Sequence, residues 1–347
     1  MAEDMAQART EHVTLDDVAR LAGVSMATAS RVLSKSPRAV RPDLREKVLA
    51  AAARLSYTPN PHARALARSA SDLVGLVVHD IADPYFSSIA AGVTRVAEEQ
   101  GAMVLLGTTL RDPEREIEYV AMLRAQRARA VILVGSRTTD REMTERLAAE
   151  LAALRANGGR VACVSQARLG VPTVQPDNRE GARRLARTLV ELGHRRFAVL
   201  GGPRTLLTAQ DRLEGFRAGL EEAGGTTEDV VEGPFTRDGG HSSALDLLRR
   251  GTSATCVFAV NDVMAVGAMA ALRDQGVAVP EDMSLAGFDD IATLRDTIPA
   301  LTTVRLPLEE MGEQAARLTL LPDPEPGTRP LSAPAEVILR ESTRRLS

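Results

Sequence analysis

The 347-residue chain is 44% hydrophobic and 26% charged, enough for two or three ordinary domains and too apolar for a disordered or fibrous polymer. No run of 18 apolar residues occurs, and the stretch from Met1 to Arg9 lacks the apolar centre and opening positive charge of a secretory leader, so a cytoplasmic, nucleoid-associated protein without a membrane partner is expected. The net charge of −3 is unevenly spread: residues 1–70 hold eleven Lys/Arg against seven Asp/Glu, net +4, which leaves −7 for the remainder. A basic head followed by an acidic body suggests nucleic acid at one end only.

Lysine occurs only at Lys35 and Lys47, both in the head, so the body has neither a Walker phosphate loop nor a Schiff-base site. Cys163 and Cys256 sit inside apolar runs that read as buried strands, and five scattered histidines at 12, 62, 79, 194 and 241 accompany them. Neither a disulfide framework nor a metal site is expected, and no cofactor. No G-x-G-x-x-G follows a strand, and H-E-x-x-H and G-x-S-x-G are absent, which argues against an enzyme.

Thr14, with Asp17 three residues on, is a capping-box-like helix start, and Leu15, Val18, Ala19 and Ala22 fall on one face of the helix that follows. Gly23 supplies a turn, Val24 fills the corner, and Ser25 can cap a second helix with the apolar face Ala29, Val32 and Leu33. The A-x-x-A-G-V-S spacing fits a helix-turn-helix, because small residues let two helices cross closely while the second protrudes. On that second helix Met26, Ala27, Thr28, Ser30 and Arg31 point away from the core. Arg31 is the strongest candidate for a guanine contact, while Thr14, Ser25 and Thr28 suit phosphates. A third helix from Pro42 carries the stripe Leu44, Val48, Ala52 and Leu55, lidded by Tyr57. In Pro59-Asn60-Pro61, Asn60 can cap a helix of about two turns, too short to be stable without a partner.

From Leu73 onward, β-branched runs alternate with amphipathic helices: 74–78, 103–106, 131–134, 161–164, 197–200, 230–232, 256–260 and 284–288. This is an α/β pattern of parallel sheets. Two stretches, about 72–174 and 175–300, repeat one plan, which predicts two similar lobes and a cleft. Open sheets of this kind bind ligands beyond the C-terminal ends of their strands. There lie Asp83-Pro84-Tyr85-Phe86, Asp177-Asn178, Gly201-Gly202-Pro203, Asn261-Asp262 and Phe288-Asp289-Asp290, a mixture that describes a polar small-molecule pocket. Asp83 and Asp262 are equally good helix N-caps.

The segment Val13–Leu33, the Ser36-Pro37-Arg38 turn and Pro59-Asn60-x-x-Ala63-Arg64-x-Leu66 resemble the LacI/GalR family of bacterial transcription regulators. So do Arg212-Leu213-Glu214-Gly215-Phe216, the Asn261-Asp262 pair and Pro299-x-Leu301-Thr302-Thr303-Val304. The resemblance spans nearly the whole chain. It implies a three-helix helix-turn-helix head (1–58), a hinge helix and linker (59–70) and a two-lobed body (71–347) like that of periplasmic binding proteins. Lobe 1 would take about 71–174 plus 302–321, and lobe 2 about 175–301 plus 328–342.

It further implies a homodimer on a pseudo-palindromic double-stranded DNA operator, acting as a repressor of carbohydrate-uptake or catabolic genes. A small-molecule effector bound between the lobes, most often a carbohydrate, would control operator affinity. Met26, Ala27 and Arg31 would read the major groove, and Ala63 and Leu66 would lie on the hinge helix, with Leu66 wedged into the minor groove. Arg212, Asn261 and Asp262 would contact the effector, together with Asp83, Asp177 and Asp289, while Tyr85, Phe86 and Phe235 would stack on it. Core packing competes for these aromatics. Ser34 and Ala39 depart from the family pattern and bear on operator preference. No leucine-rich heptad helix follows the body, so a dimer rather than a tetramer is expected. The polar set would suit a nucleobase or phosphorylated sugar as well, and a transport-type binding protein with an accessory head is the rival architecture.

Overall fold

The computed structural model describes residues 13–33, 40–57, 71–321 and 330–346. They fall into two units, one ending at Ser71 and the other beginning at Asp72.

The first unit holds α1 (Leu15–Ala22), α2 (Met26–Leu33) and α3 (Pro42–Arg54). The Asp17 amide donates to the Thr14 hydroxyl at 3.3 Å and the Thr14 amide to the Asp17 carboxylate at 3.0 Å, closing the expected capping box. These Thr14 bonds hold the Asp17 carboxyl below its ordinary value. α1 stops at Gly23, whose φ of 65° is left-handed and returns its amide to the last turn. Val18, Ala29 and Val48 form the centre of a small core on which Leu15, Val24, Leu33, Leu55 and Tyr57 pack.

The second unit opens with β1 (Leu73–Val78), α4 (Pro84–Glu99), β2 (Met103–Thr108), α5 (Pro113–Ala125), β3 (Ala130–Val134), α6 (Arg141–Ala156), β4 (Arg160–Val164) and β5 (Thr173–Pro176). It continues with α7 (Asn178–Glu191), β6 (Arg196–Gly201), α8 (Leu207–Ala223), β7 (Thr226–Glu232), α9 (Arg237–Arg249), β8 (Cys256–Ala259), α10 (Asp262–Asp274) and β9 (Ser284–Ala286). After a 3-10 turn at Ala292–Asp296 come β10 (Thr303–Arg305), α11 (Leu308–Leu320), β11 (Leu331–Ala333) and β12 (Glu336–Ile338).

Two parallel sheets result, ordered β11-β5-β4-β3-β1-β2 and β7-β6-β8-β9, with β10 and β12 paired antiparallel beside them. β3 is buried at every residue, as a strand covered on both faces must be. Several βα turns at the C-terminal ends of strands close with a polar cap. The side chains of Asp83, Asp140, Thr236 and Asn261 accept from the amides of Tyr85, Met143, Gly239 and Met264, which crowds short polar groups where the two sheets face each other.

Three lobe assignments shift. Thr173–Pro176 is a strand of the first sheet, so lobe 1 runs past residue 174, and Leu331–Ala333 pairs with it there rather than joining lobe 2. Thr302 and Arg305 bridge to Ala286 and Asp289 beside β9, so β10 belongs with lobe 2 and only α11 returns to lobe 1. Such strands of three or four residues carry no periodicity of their own, and the neighbouring sheet edge decides where they lie.

Candidate functional site

The head presents α2. Met26, Ala27, Ser30 and Arg31 are exposed along it, Met26 at 56%, while Ala29 and Val32 are buried beneath. Ser25 sits before the helix, where its hydroxyl accepts from the Thr28 amide at 3.2 Å and lies 2.9 Å from the Thr28 hydroxyl. Thr14 is exposed at the start of α1, its hydroxyl engaged with Asp17. A protruding helix with small and apolar residues at its start and an arginine further along can enter a DNA major groove. Asn60, Ala63 and Leu66 lie outside the described residues.

In the body, a narrow cavity of about 40 Å³ lies between the facing strand ends, the place where open parallel sheets bind their ligands. Asp83, Tyr85, Phe86, Arg212, Phe235, Asn261 and Asp289 all reach its wall. Tyr85 packs edge-on to Phe86 with centroids 5.0 Å apart, and Phe86 edge-on to His79 at 5.7 Å. Burial raises the carboxyl of Asp83 and the hydroxyl of Tyr85 above their ordinary values.

Arg212 organises the floor. Its guanidinium is 2% exposed and donates to Asn178 Oδ1 at 2.9 Å, to the Val260 carbonyl at 2.7 Å and to Asp289 Oδ1 at 2.6 Å, with its plane 4.0 Å from the centre of the Phe288 ring. One planar fork thus ties the start of α7, the end of β8 and the end of β9 into a single polar surface. Burial pushes Asp289 up to about 6 despite the adjacent guanidinium, and its φ of 120° holds the carboxylate at the cavity edge.

Two expected contacts do not line the cavity. Asp262 is fully buried, where its carboxylate accepts from the Ile291 amide at 3.0 Å and the Thr303 hydroxyl at 2.7 Å; burial pushes its pKa up to about 8. Asn261, one residue earlier, is both the cap of α10 and the cavity residue. Asp177 is half-buried, 3.4 Å from Arg184 and away from the wall. The reading from sequence missed His79, Arg111, Gly135, Ser136, Leu206 and Thr208, which complete the lining. All but Leu206 and Thr208 lie within three residues of the C-terminal end of a strand of the first sheet, which was the available signal. Burial brings His79 down to about 4, so its ring is neutral, between the Thr109 hydroxyl at 3.2 Å and the Ser136 carbonyl at 3.4 Å.

Around the cavity the lobes touch directly. The Leu207 amide donates to the Arg137 carbonyl at 2.9 Å, the Thr139 amide to the Thr205 carbonyl at 2.9 Å, and the Thr208 amide to the Ser136 hydroxyl at 3.0 Å. Gln166 reaches Thr208 at 2.9 Å and Asp211 at 3.2 Å, and Arg111 donates to the Phe235 carbonyl at 3.2 Å.

A small protruding-helix head encoded ahead of a two-lobed body with a polar cavity at its facing strand ends defines the class of DNA-binding regulators that carry a ligand domain. The comparisons place it more closely. Residues 14–60 match the family described as bacterial regulatory proteins, lacI family, and residues 186–343 match the periplasmic binding protein-like domain. The chain is 38% identical to the HTH-type transcriptional regulator GalS of Salmonella typhimurium over 89% of each chain. It superposes with a TM-score of 0.82 and 29% identity on a lac repressor dimer bound to operator and the anti-inducer ONPF, covering 96% of this chain and 99% of that one. For a transcriptional regulator CelR–cellobiose complex the TM-score is 0.67 at 32% identity, over 95% and 99%. The chain belongs to the lacI family and is a DNA-binding transcriptional regulator.

Proposed function

We propose that the protein is a homodimeric repressor of carbohydrate-uptake or catabolic genes, whose affinity for a pseudo-palindromic operator is set by a sugar held between its lobes. The observation that carries the effector assignment is the Arg212 fork. A rigid, dry cation with neighbouring carboxylates and carboxamides presents fixed donors and acceptors to ring hydroxyls, and Tyr85, Phe86 and Phe235 offer apolar faces to a sugar ring. The similarity to a cellobiose complex and to a ribose-bound regulator supports the same ligand class.

Dimerisation is supported by apolar surface on the body. Edge strand β2 exposes Met103 at 69% and Leu105 at 50%, and Ile298 stands 94% exposed beside a groove lined by Val266, Met269 and Val277. Two linked heads raise the effective concentration of the second half-site, which a single small head needs.

The test is labelled-DNA competition with the gene's own upstream region, at two salt concentrations, in the presence of individual sugars including cellobiose and ribose. Specific binding weakened by one sugar is expected. Removal of residues 1–68 is expected to abolish operator binding while leaving sugar binding intact. Absence of any specific, salt-dependent binding would sink the operator reading, and binding unmoved by every sugar would sink the effector assignment.

A further inference from the structure

The segment linking β3 to α6 touches both lobes at once. Its backbone and the Ser136 hydroxyl make the three bonds to Thr205, Leu207 and Thr208 described above, and Thr138 forms an antiparallel bridge with Leu206. The side chain of Arg137 turns the opposite way, into lobe 1, where it is 4% exposed. There its guanidinium grips Glu116 of α5 with two bonds of 2.9 and 2.8 Å and donates through Nε to the Ser165 hydroxyl at 3.1 Å. Its own amide donates to Gln166 Oε1 at 2.9 Å, and the Ser165 hydroxyl donates to the Gly135 carbonyl at 2.6 Å. One residue therefore anchors the segment to lobe 1 through its side chain and reaches lobe 2 through its carbonyl.

We propose that the buried Glu116–Arg137 pair is a positioning element that holds residues 136–139 in the conformation that latches the two lobes over the cavity. Stability alone does not account for it. Burying two charges carries a desolvation penalty that their attraction often fails to repay, and well-packed apolar residues of the same volume commonly do as well or better. What an apolar pair cannot supply is direction. The bidentate fork, with Nε fixed on Ser165, sets the guanidinium plane and hence the backbone that precedes and follows it. Gly135 fits this picture: its φ of 144° and the His79 ring 2.3 Å from where a Cβ would stand leave the segment one entry geometry. Gln166 links the same network to lobe 2, its Oε1 accepting from the Arg137 amide while its Nε2 donates to Thr208 and Asp211, so the latch and the lobe 1 anchor share one carboxamide.

The significance of the latch for effector control rests on the proposed function, but its test does not. Hydrogen exchange by mass spectrometry is measured on the full-length protein without effector or DNA. The variants are Glu116→Gln and the double replacement Glu116→Met with Arg137→Met. Peptides spanning residues 205–209, on the lobe that neither Glu116 nor the Arg137 side chain touches, are expected to exchange about tenfold faster in both variants, while peptides of β3 and β6 change little. The double variant, which leaves no unpaired buried charge, keeps the test valid if the single one folds poorly. Wild-type protection at 205–209 in a folded double variant would overturn the proposal, because packing would then suffice. So would a uniform rise across β3, β6 and 205–209, the mark of a purely structural pair.

Discussion

Replacing Arg212 by lysine keeps the positive charge and removes the fork. A single ammonium can stay with Asp289, but it cannot also span Asn178 and the Val260 carbonyl on the other sides of the guanidinium. Two buried acceptors then lose their donors at about 1–3 kcal/mol each, and loss of the stack on Phe288 adds about 1 kcal/mol. The sum, about 3–7 kcal/mol, is a large share of the usual margin of about 5–15 kcal/mol. At about 2–4 °C per kcal/mol it lowers the melting temperature by at least ~6 °C.

The informative control is the same substitution at Arg183, which bonds the carboxylates of both Glu180 and Glu222 and so makes more ionic contacts than Arg212 does. Those contacts are at the surface and screened by water, so Arg183→Lys is expected to shift the melting temperature by no more than about 1 °C. Differential scanning calorimetry on the two variants decides between burial and contact number. An Arg212→Lys protein that melts with the wild type, or an Arg183→Lys protein that loses more, would refute the reasoning.

Three further outcomes are expected. Arg31→Ala should weaken binding to the specific operator by about 5–150-fold, equivalent to about 1–3 kcal/mol, with a smaller loss on unrelated DNA in the same competition assay. Asp262→Asn should stabilise the protein increasingly with pH. Burial holds the folded carboxyl at about 8 against an ordinary value near 3.8, so the folded wild type binds the proton more tightly and loses stability as pH rises between them. The melting-temperature gap should therefore widen from about pH 4 to about pH 8, and a gap that is constant with pH would exclude a buried, strained carboxylate. Leu105→Asp on edge strand β2 should shift the sedimentation profile from dimer towards monomer; an unchanged profile would place the interface elsewhere.

The elements that local chemistry governs were legible in the chain itself. Thr14, Asp17 and Gly23 fixed the first helix because caps and left-handed turns act within a few residues, and Val18, Ala29, Val32 and Val48 marked the head core by helical spacing alone. The alternation of apolar runs and amphipathic helices likewise determined a parallel α/β body, and with it the rule that ligands meet the C-terminal strand ends, which located Asp83, Asn261 and Asp289; Arg212, inside α8, was pointed to by the family resemblance alone.

Only the tertiary structure chose between neighbours. Asn261 and Asp262 look equivalent in sequence, but Ile291 and Thr303, 29 and 41 residues away, draw the aspartate into the core and leave the asparagine at the cavity. His79, Arg111, Ser136 and Thr208 become one wall through the pairing of β1 with β2 and β3 and through the lobe contact. The same holds for β5, β10 and β11, whose three or four residues have no period to read, and for Glu116, which no local pattern distinguishes from a surface glutamate on α5 until Arg137 arrives from the next strand end. Each of these depends on groups distant in sequence meeting in a water-poor interior, where an unpaired charge or donor is costly, and that demand exists only once the sheets have formed.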